Sequence, residues 1–180
     1  MITLVPRDKP NETKGKPAAG VQPIKLPPEK ARAIVSEMIL SLSLFQDLPR
    51  SELDRLASLV DLCEVGEDST LFLEGEEGGF IGLVVEGIAD LSKQKTERVS
   101  VRVASEGTGR ILGEMALVDG ERRSATAKFP KGGKVLILSK ANFEKILSQY
   151  PSLGVQLLIR ICRLLSQRLR KTTGLLAEKL

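Results

Sequence analysis

The sequence contains no histidine and no tryptophan, and aromatic residues make up only 3% of its 180 residues. The absence of histidine excludes a Ser-His-Asp triad, a Cys-His dyad, and zinc or haem held by histidine. Cys63 and Cys162 are too far apart in the sequence for a CxxC motif, and we interpret them as ordinary thiols of a reducing compartment. We therefore expect no metal site, and a core that is aliphatic.

A long hydrophobic run is also missing. No stretch approaches the roughly 20 apolar residues of a membrane helix. The first residues are apolar only as far as Val5, before Pro6 and Arg7, so a signal-peptide core is not expected. These absences predict a soluble, cytoplasmic protein without a membrane partner.

The net charge of +4 is distributed unevenly along the chain. Residues 1–28 hold five basic and two acidic side chains, residues 29–150 hold 16 and 20, and residues 151–180 hold six and one. A uniformly basic nucleic-acid-binding domain does not have this pattern. Binding of DNA through the arginines of residues 160–171 would be mostly electrostatic, and it is the least favoured alternative.

Two segments with different composition precede the central part of the chain. Residues 1–28 hold six of the nine prolines, and we expect a flexible tail that could also bind a partner. Residues 29–180 are expected to form one domain. Within it, residues 29–60 have helical periodicity, with one helix starting at Glu29 and a second helix capped by Ser51.

Residues 61–139 combine short apolar runs, β-branched residues and frequent glycines, which indicates short strands. Tight hairpins are expected at Glu86-Gly87 and at Lys131-Gly132-Gly133. The acidic residues 74, 76 and 77 are interpreted as a solvated loop rather than a metal site. The expected fold class is α+β: an eight-stranded β-roll (jelly-roll) flanked by N-terminal helices and a long C-terminal helix. The candidate strands are 61–65, 69–73, 80–86, 88–93, 98–104, 110–112, 124–129 and 134–139.

Residues 140–180 are expected to be helical, with a short helix over 140–149 and a long helix that begins at Pro151 and whose regular part ends near Gly174. Apolar residues in the long helix follow a spacing of three and four, which is typical of a heptad seam. A neighbouring apolar stripe contains Leu157, Ile161, Leu164 and Leu175. Two stripes favour a helix that packs on the roll and on a second copy, so a homodimer is expected. The seam residues are Val155, Leu158, Cys162, Leu165, Leu169, Thr172 and Leu176.

The segment 113–127, GEMALVDGERRSATA, combines a glycine turn, a short helix-permissive stretch and two arginines before a strand of small residues. A helix start and a guanidinium both suit an anion such as phosphate. A carboxylate on the same loop, Glu114, would repel a bare phosphate but can accept a hydrogen bond from a hydroxyl of the same ligand. A sugar phosphate such as a nucleotide fits both groups.

This segment resembles the phosphate-binding cassette of the cyclic-nucleotide-binding domain family, which includes bacterial catabolite activator protein and the regulatory subunits of cyclic-AMP-dependent protein kinase. The family pattern is Gly-Glu-Leu-Ala-Leu followed, after variable residues, by Arg-Ala-Ala-Thr or Arg-Ser-Ala. Here Met115 replaces the leucine, and Arg122 stands where Pro or Glu is common. Shorter matches at residues 44–48, 72–76 and 84–87 extend the resemblance over about residues 29–173.

The resemblance implies a role for each residue that matches the family's motif. Arg123 would neutralise the cyclic phosphate, and Glu114 would accept a hydrogen bond from the ribose 2′-hydroxyl. Thr172 and Thr173, on the long helix, would contact the base. The other ligand-binding residues expected in the cassette are Gly113, Met115, Ala116, Ser124 and Ala125.

By resemblance, the chain is expected to be a cyclic-nucleotide sensor rather than an enzyme. Cyclic AMP is the expected ligand, but the hydroxyl of Ser124 leaves cyclic GMP open. The signal would pass to an unidentified protein partner when the ligand changes the position of the long helix. A ligand-free scaffold or dimerisation protein with a degenerate site is the alternative from a different class. A cupin-like enzyme is disfavoured because cupin metal ligands are mainly histidines.

Overall fold

The computed structural model describes residues 17–18, 20–96 and 99–177, and the chain divides into two compact units between Asn142 and Phe143. Among these residues the first unit contains three α-helices, a 3₁₀ turn at Ser43–Phe45 and nine strands. Its helices are α1 (Pro28–Ser41), α2 (Arg50–Ala57) and α3 (Glu114–Asp119). Its strands are β1 (Val21–Pro23), β2 (Asp61–Val65), β3 (Ser69–Phe72), β4 (Phe80–Gly87), β5 (Ala89–Thr96), β6 (Val99–Glu106), β7 (Ile111–Leu112), β8 (Thr126–Phe129) and β9 (Gly133–Ser139).

The nine strands form two antiparallel sheets, one in the order β1-β2-β9-β4-β7 and the other in the order β3-β8-β5-β6. Apolar side chains from both sheets meet in one core, which includes Leu71, Val84 and Val135. The core is largely aliphatic, but all five phenylalanines of the chain are buried as well. The prediction of an α+β fold with a β-roll is confirmed, and β2 to β9 match the eight predicted strands.

Strand β1 corrects the expectation for the end of the N-terminal segment, which was expected to be flexible up to residue 28. Val21 pairs with Val65 of β2, and the N–H of Ile24 donates to the carbonyl of Leu62 over 2.8 Å. Val21 also packs against the core. The edge of β2 therefore provides both the hydrogen bonds and the apolar contact that order this short strand. The expectation for residues 1–16 lies outside the described residues.

The two predicted hairpins are wrong, because both turns carry the chain from one sheet to the other. β4 and β9 belong to the five-stranded sheet, whereas β5 and β8 belong to the four-stranded sheet. The crossings at Gly87 and Gly132 both have positive φ, +91° and +66°. A Cβ on Gly87 would lie 2.5 Å from the carbonyl oxygen of Gly132. Glycine is needed here because two backbone segments approach each other closely.

Helix α2 does not use the predicted Ser51 cap. It begins at Arg50, and the N-cap position is Pro49, whose extended backbone (φ −57°, ψ 143°) leads into the helix without a side-chain cap. Helices α1 and α2 are joined by a hydrogen bond from the buried Ser36 hydroxyl to the Asp54 carboxylate over 2.8 Å.

Helix α4 (Lys140–Gln149) begins in the last residues of the first unit, and α5 (Pro151–Ala177) belongs to the second unit. Helix α5 continues past Gly174, so the prediction that the regular helix ends there is wrong. Along the predicted seam, Val155, Leu169 and Leu176 are 54%, 68% and 59% exposed. The stripe of Leu157, Ile161 and Leu164 is buried, as its separate spacing predicted. Within the described part of the chain, no helix is long and apolar enough to cross a membrane.

Candidate functional site

Gly113 sets the backbone of the cassette (residues 113–127). It follows β7 directly, has a φ of +76°, and is the N-cap residue of helix α3. A Cβ at this position would lie 2.0 Å from Nη1 of Arg123. Gly113 is therefore required twice, once for the left-handed turn and once for the approach of the arginine.

The side chain of Arg123 is buried, with 2% of the residue exposed. Nη1 donates a hydrogen bond to the carbonyl of Gly113, and Nη2 donates to the carbonyl of Phe80, both over 2.7 Å. The guanidinium carbon lies 4.2 Å from the ring centroid of Phe72 and 4.7 Å from that of Phe80. Two carbonyl dipoles and two aromatic faces thus stabilise the buried cation.

The Nε–H of Arg123 is buried and has no hydrogen-bond acceptor among the residues that the structure describes. Each terminal nitrogen also carries a second proton. A buried donor without an acceptor is costly, because water cannot reach it. An anion bound beside Arg123 would provide that acceptor, so the side chain fits the phosphate that the resemblance implies.

The charge of Arg123 is maintained at neutral pH. Burial lowers the pKa of its guanidinium from 12.5 to about 10, and attraction to the carboxylates of Glu76 and Glu114 opposes this effect. A group with this pKa stays protonated near pH 7. The site therefore contains a fixed positive charge in a region from which water is excluded.

Glu114 is the first residue of α3 and is only 1% exposed. A carboxylate in the first turn of a helix is stabilised by the backbone N–H groups there. It is also close enough to Arg123 to influence the pKa of the guanidinium. The structure thus brings together the buried carboxylate of Glu114 and the buried guanidinium of Arg123, the two groups that the cassette pattern predicts.

The loop of residues 73–77 contributes to the site, although its acidic residues were expected to form a solvated loop. The N–H of Arg123 donates to the carbonyl of Glu76 over 2.8 Å, and the N–H of Gly75 donates to the carbonyl of Arg123 over 2.9 Å. The Glu76 carboxylate accepts from the N–H of Leu73 over 3.0 Å. This loop therefore fixes the backbone of Arg123. In the sequence, the only sign of this loop was Gly75 between acidic residues. Nothing in the sequence shows that the loop pairs with a segment 47 residues further along the chain.

The remaining predicted cassette residues lie around this pair. Ala116 is buried, and a Cβ on Gly78 would come within 2.4 Å of its side chain. Met115 and Ser124 are exposed, and the Ser124 hydroxyl donates to the Met115 thioether over 3.7 Å. Ala125 is half-buried between Ser124 and β8. All seven predicted cassette residues therefore lie in one turn, one helix and the short segment that leads into β8.

Thr172 and Thr173, the predicted base contacts, belong to α5 in the second unit. Their hydroxyl groups donate to the carbonyls of Arg168 and Leu169, over 3.0 Å and 2.9 Å. Both threonines are exposed. Because their protons are used within the helix, each hydroxyl offers lone pairs rather than a donor.

Comparisons with known proteins identify the family. The cyclic nucleotide-binding domain model matches residues 62–150. The Pycsar effector protein PaPycTIR of Pseudomonas aeruginosa is 33% identical over 141 residues, which cover 76% of this chain and 43% of that protein. The cAMP-dependent protein kinase regulatory subunit of Mycosarcoma maydis is 28% identical over 97 residues, 54% of this chain and 18% of that protein. This chain thus spans less than half the length of these curated relatives.

Solved structures agree with this result. A cyclic nucleotide-binding domain from Methylobacillus flagellatus KT superposes with a TM-score of 0.75 at 25% identity, covering 89% of this chain and 90% of that one. The catabolite activator protein of Thermus thermophilus gives a TM-score of 0.63 at 26% identity, with coverage of 74% and 61%. The chain therefore carries a cyclic nucleotide-binding domain and belongs to that family.

Proposed function

We propose that this chain is a cyclic-nucleotide sensor whose preferred ligand is cyclic AMP, and that it is a binding module rather than an enzyme. The observation that carries the proposal is the buried Arg123, which has an unpaired Nε–H beside the buried carboxylate of Glu114. Arg123 would donate to the cyclic phosphate, and Glu114 would accept from the ribose 2′-hydroxyl. Gly113, Met115, Ala116, Ser124 and Ala125 would surround the ligand.

Glu114 selects against simple anions. A carboxylate next to the phosphate-binding guanidinium repels inorganic phosphate, which carries more charge and presents no sugar hydroxyl to it. A cyclic phosphodiester carries a single negative charge and is attached to a ribose that provides the donor. The carboxylate and the guanidinium together thus favour a cyclic nucleotide over free phosphate and over a nucleoside monophosphate.

The base preference rests on Thr172 and Thr173, which the resemblance assigns to base contact. Because both hydroxyl protons are donated within α5, these side chains are acceptors, and the exocyclic amino group of adenine is the matching donor. Cyclic GMP is the second candidate, since the exposed Ser124 hydroxyl has only a thioether as its partner and is free to meet the amino group of guanine.

A calorimetric titration tests the ligand and its base. We expect cyclic AMP to bind more tightly than about 100 µM, which is roughly −5.5 kcal/mol, and 5′-AMP and inorganic phosphate to bind much more weakly. A Thr172→Val, Thr173→Val variant keeps the shape of both side chains and should weaken cyclic AMP more than cyclic GMP. No heat with either cyclic nucleotide would contradict the proposed function, and equal losses for both would contradict the role of the threonines.

A homodimer through α5 is part of the proposal. The exposed seam of Val155, Leu169 and Leu176 is an apolar strip on a helix that contains no acidic residue between 151 and 177. The positions beside the seam on one side are Ile159, Ser166 and Thr173, so two copies can approach there without like charges facing each other. A second copy is therefore the partner that fits this strip.

Replacing Leu169 with glutamate should convert the dimer to a monomer, because the charge would be buried at the seam. Leu169 is exposed in the single chain, so the variant is expected to fold normally. Gln167→Glu adds the same charge to an exposed residue away from the seam and should remain dimeric. Sedimentation velocity over a concentration series measures both. An unchanged dimer for Leu169→Glu, or a monomeric parent protein, would refute the seam.

We also propose that ligand binding changes the position of α5 and thereby the affinity for an unidentified protein partner. Only a difference in ligand affinity between two positions of the helix can drive such a change, and a tenfold difference corresponds to about 1.4 kcal/mol.

A cytoplasmic location is proposed because both cysteines are free thiols. Burial, together with the nearby Asp61, raises the pKa of Cys63 to about 11, so this thiol is not reactive at neutral pH.

The second candidate function is a ligand-free scaffold, and one observation favours it. The terminal nitrogens of Arg123 already have carbonyl acceptors, and two phenylalanine rings cover the guanidinium. A cation held in this way can serve the fold without a nucleotide. The titration above separates the two functions, because a scaffold would give no heat.

A further inference from the structure

Arg122 differs from Arg123 in both exposure and partner. Its side chain is exposed, and Nη1 donates a hydrogen bond to the carbonyl of Gly75 over 2.8 Å. Its backbone forms an isolated antiparallel bridge with Glu77. Arg122 therefore joins the cassette to the loop of residues 73–77 through its side chain, and its backbone lies opposite Glu77 of the same loop.

The same loop holds both backbone hydrogen-bonding groups of Arg123. The N–H of Gly75 and the carbonyl of Glu76 are the partners. Gly75 thus donates from its N–H to the carbonyl of Arg123 and accepts at its own carbonyl from the side chain of Arg122. A Cβ on Gly75 would meet nothing within 4 Å, so the tip of the loop has open space beside it. These hydrogen bonds hold the tip, and the side on which a Cβ would project is open.

A second set of hydrogen bonds holds the base of the loop. The N–H of Glu74 donates to the Thr126 hydroxyl over 2.9 Å, and the Glu74 carboxylate accepts from the N–H of Gln94 over 2.8 Å. These two bonds hold the start of the loop against β8 and β5. At the tip, the hydrogen bond from the Arg122 side chain to the Gly75 carbonyl adds to the backbone hydrogen bonds with Arg123.

We propose that Arg122 is a positioning residue of the ligand site. Its side chain fastens the 73–77 loop to the cassette, and the loop in turn fixes the backbone from which Arg123 reaches the cyclic phosphate. This inference rests on the proposed function, because the ligand it serves is the cyclic nucleotide. Arg122 is assigned no contact with the ligand.

Three variants test the proposal. Arg122→Met removes the donor and keeps most of the side-chain stem, whereas Arg122→Lys restores a charged donor. Arg32→Met is the matched control, since the exposed Arg32 also donates one side-chain hydrogen bond to a backbone carbonyl, that of Asp54 over 3.2 Å. Both positions lie in the first unit, and the two methionine variants lose the same charge.

The first readout is amide hydrogen exchange of the ligand-free protein. Arg122→Met should speed exchange at the N–H groups of Gly75 and Arg123 about fivefold, as expected for losing one exposed hydrogen bond. Arg122→Lys should restore part of the protection, and Arg32→Met should leave both amides unchanged. Unchanged exchange in Arg122→Met would overturn the proposal whether or not the protein binds nucleotide.

The second readout is cyclic AMP affinity, together with the ratio of affinities for the two phosphorothioate diastereomers of cyclic AMP. Arg122→Met should weaken cyclic AMP about fivefold and bring the ratio closer to one, because a less fixed Arg123 distinguishes the two exocyclic positions less well. A purely structural or long-range charge effect would leave the ratio unchanged, and parental affinity and ratio in Arg122→Met would overturn the positioning role. If the parent protein itself bound no nucleotide, the proposed function would fail and the positioning role with it, even where the exchange result showed the loop to be fastened.

Discussion

Replacing Arg123 with alanine is expected to abolish cyclic-nucleotide binding, with a loss of at least about a hundredfold in affinity. Charge-assisted hydrogen bonds contribute about 1.5–3 kcal/mol each, and this side chain would make more than one of them to the phosphate. No other basic side chain of the cassette is buried, since Arg122 is exposed and bonded to Gly75. Calorimetry with cyclic AMP measures the loss.

The same substitution should also lower stability, so folding must be measured beside binding. It would leave the carbonyls of Gly113 and Phe80 without their donor, which costs on the order of 1–3 kcal/mol. Arg123→Lys keeps the charge but lacks the planar fork that reaches two carbonyls, and it should fold while binding at least about tenfold more weakly. Arg102→Ala is a control, because it removes an exposed arginine that pairs with Asp90 over 3.1 Å.

Thermal unfolding with and without ligand gives an independent check on Arg123. A ligand at a hundred times its Kd stabilises the native state by about 2.7 kcal/mol. The parent protein and Arg102→Ala should show this increase, and Arg123→Ala at the same ligand concentration should show no more than about 0.4 kcal/mol of it. A folded Arg123→Ala protein that keeps the increase would contradict the proposed site.

Because the guanidinium pKa is about 10, it stays protonated below that pH, and affinity should be lost only as the pH rises through about 10.

The strands of the roll were predictable because their signals are local. Alternation such as Val99, Val101 and Val103 around polar residues indicates a strand from neighbouring residues alone, although its burial is not predicted as well, since Val103 is 55% exposed. β1 has no such pattern, since its three residues end in Pro23. It forms a strand because it pairs with the edge of β2. Turn glycines were also recognised, but a glycine at position 87 or 132 does not specify which sheet the next strand joins.

The candidate site shows the same division between local and distant contacts. Glu114 and Arg123 could be selected from one short segment, because a conspicuous residue pattern carries them. The Phe80 carbonyl that accepts from Arg123 lies 43 residues away, and the Gly75 carbonyl that accepts from Arg122 lies 47 residues away. Backbone acceptors have no residue type, so no sequence pattern marks them. The loop of residues 73–77 was therefore interpreted by its charge, although its backbone positions the arginine.

Replacing Gly113 with alanine is expected to cause the second-largest loss of binding, by displacing Arg123 rather than removing it. The new Cβ would lie 2.0 Å from Nη1 of Arg123 and 3.1 Å from Cε1 of Phe72, so the guanidinium must leave its position between the two rings. The φ of +76° adds strain of about 1–2 kcal/mol for any residue with a side chain. We expect at least about tenfold weaker cyclic AMP binding in calorimetry.

A second glycine separates the collision from the backbone strain. Gly109 has a φ of +83°, but a Cβ there would meet nothing within 4 Å. Gly109→Ala should therefore lose about the same stability as the backbone strain alone costs at Gly113, measured by chemical unfolding. It should bind cyclic AMP like the parent protein. The difference in affinity between the two variants then measures what the exact placement of the Arg123 guanidinium contributes. Equal affinities would mean that the ligand does not depend on the arginine position seen here, and the assignment of Arg123 as the phosphate-binding residue would be wrong.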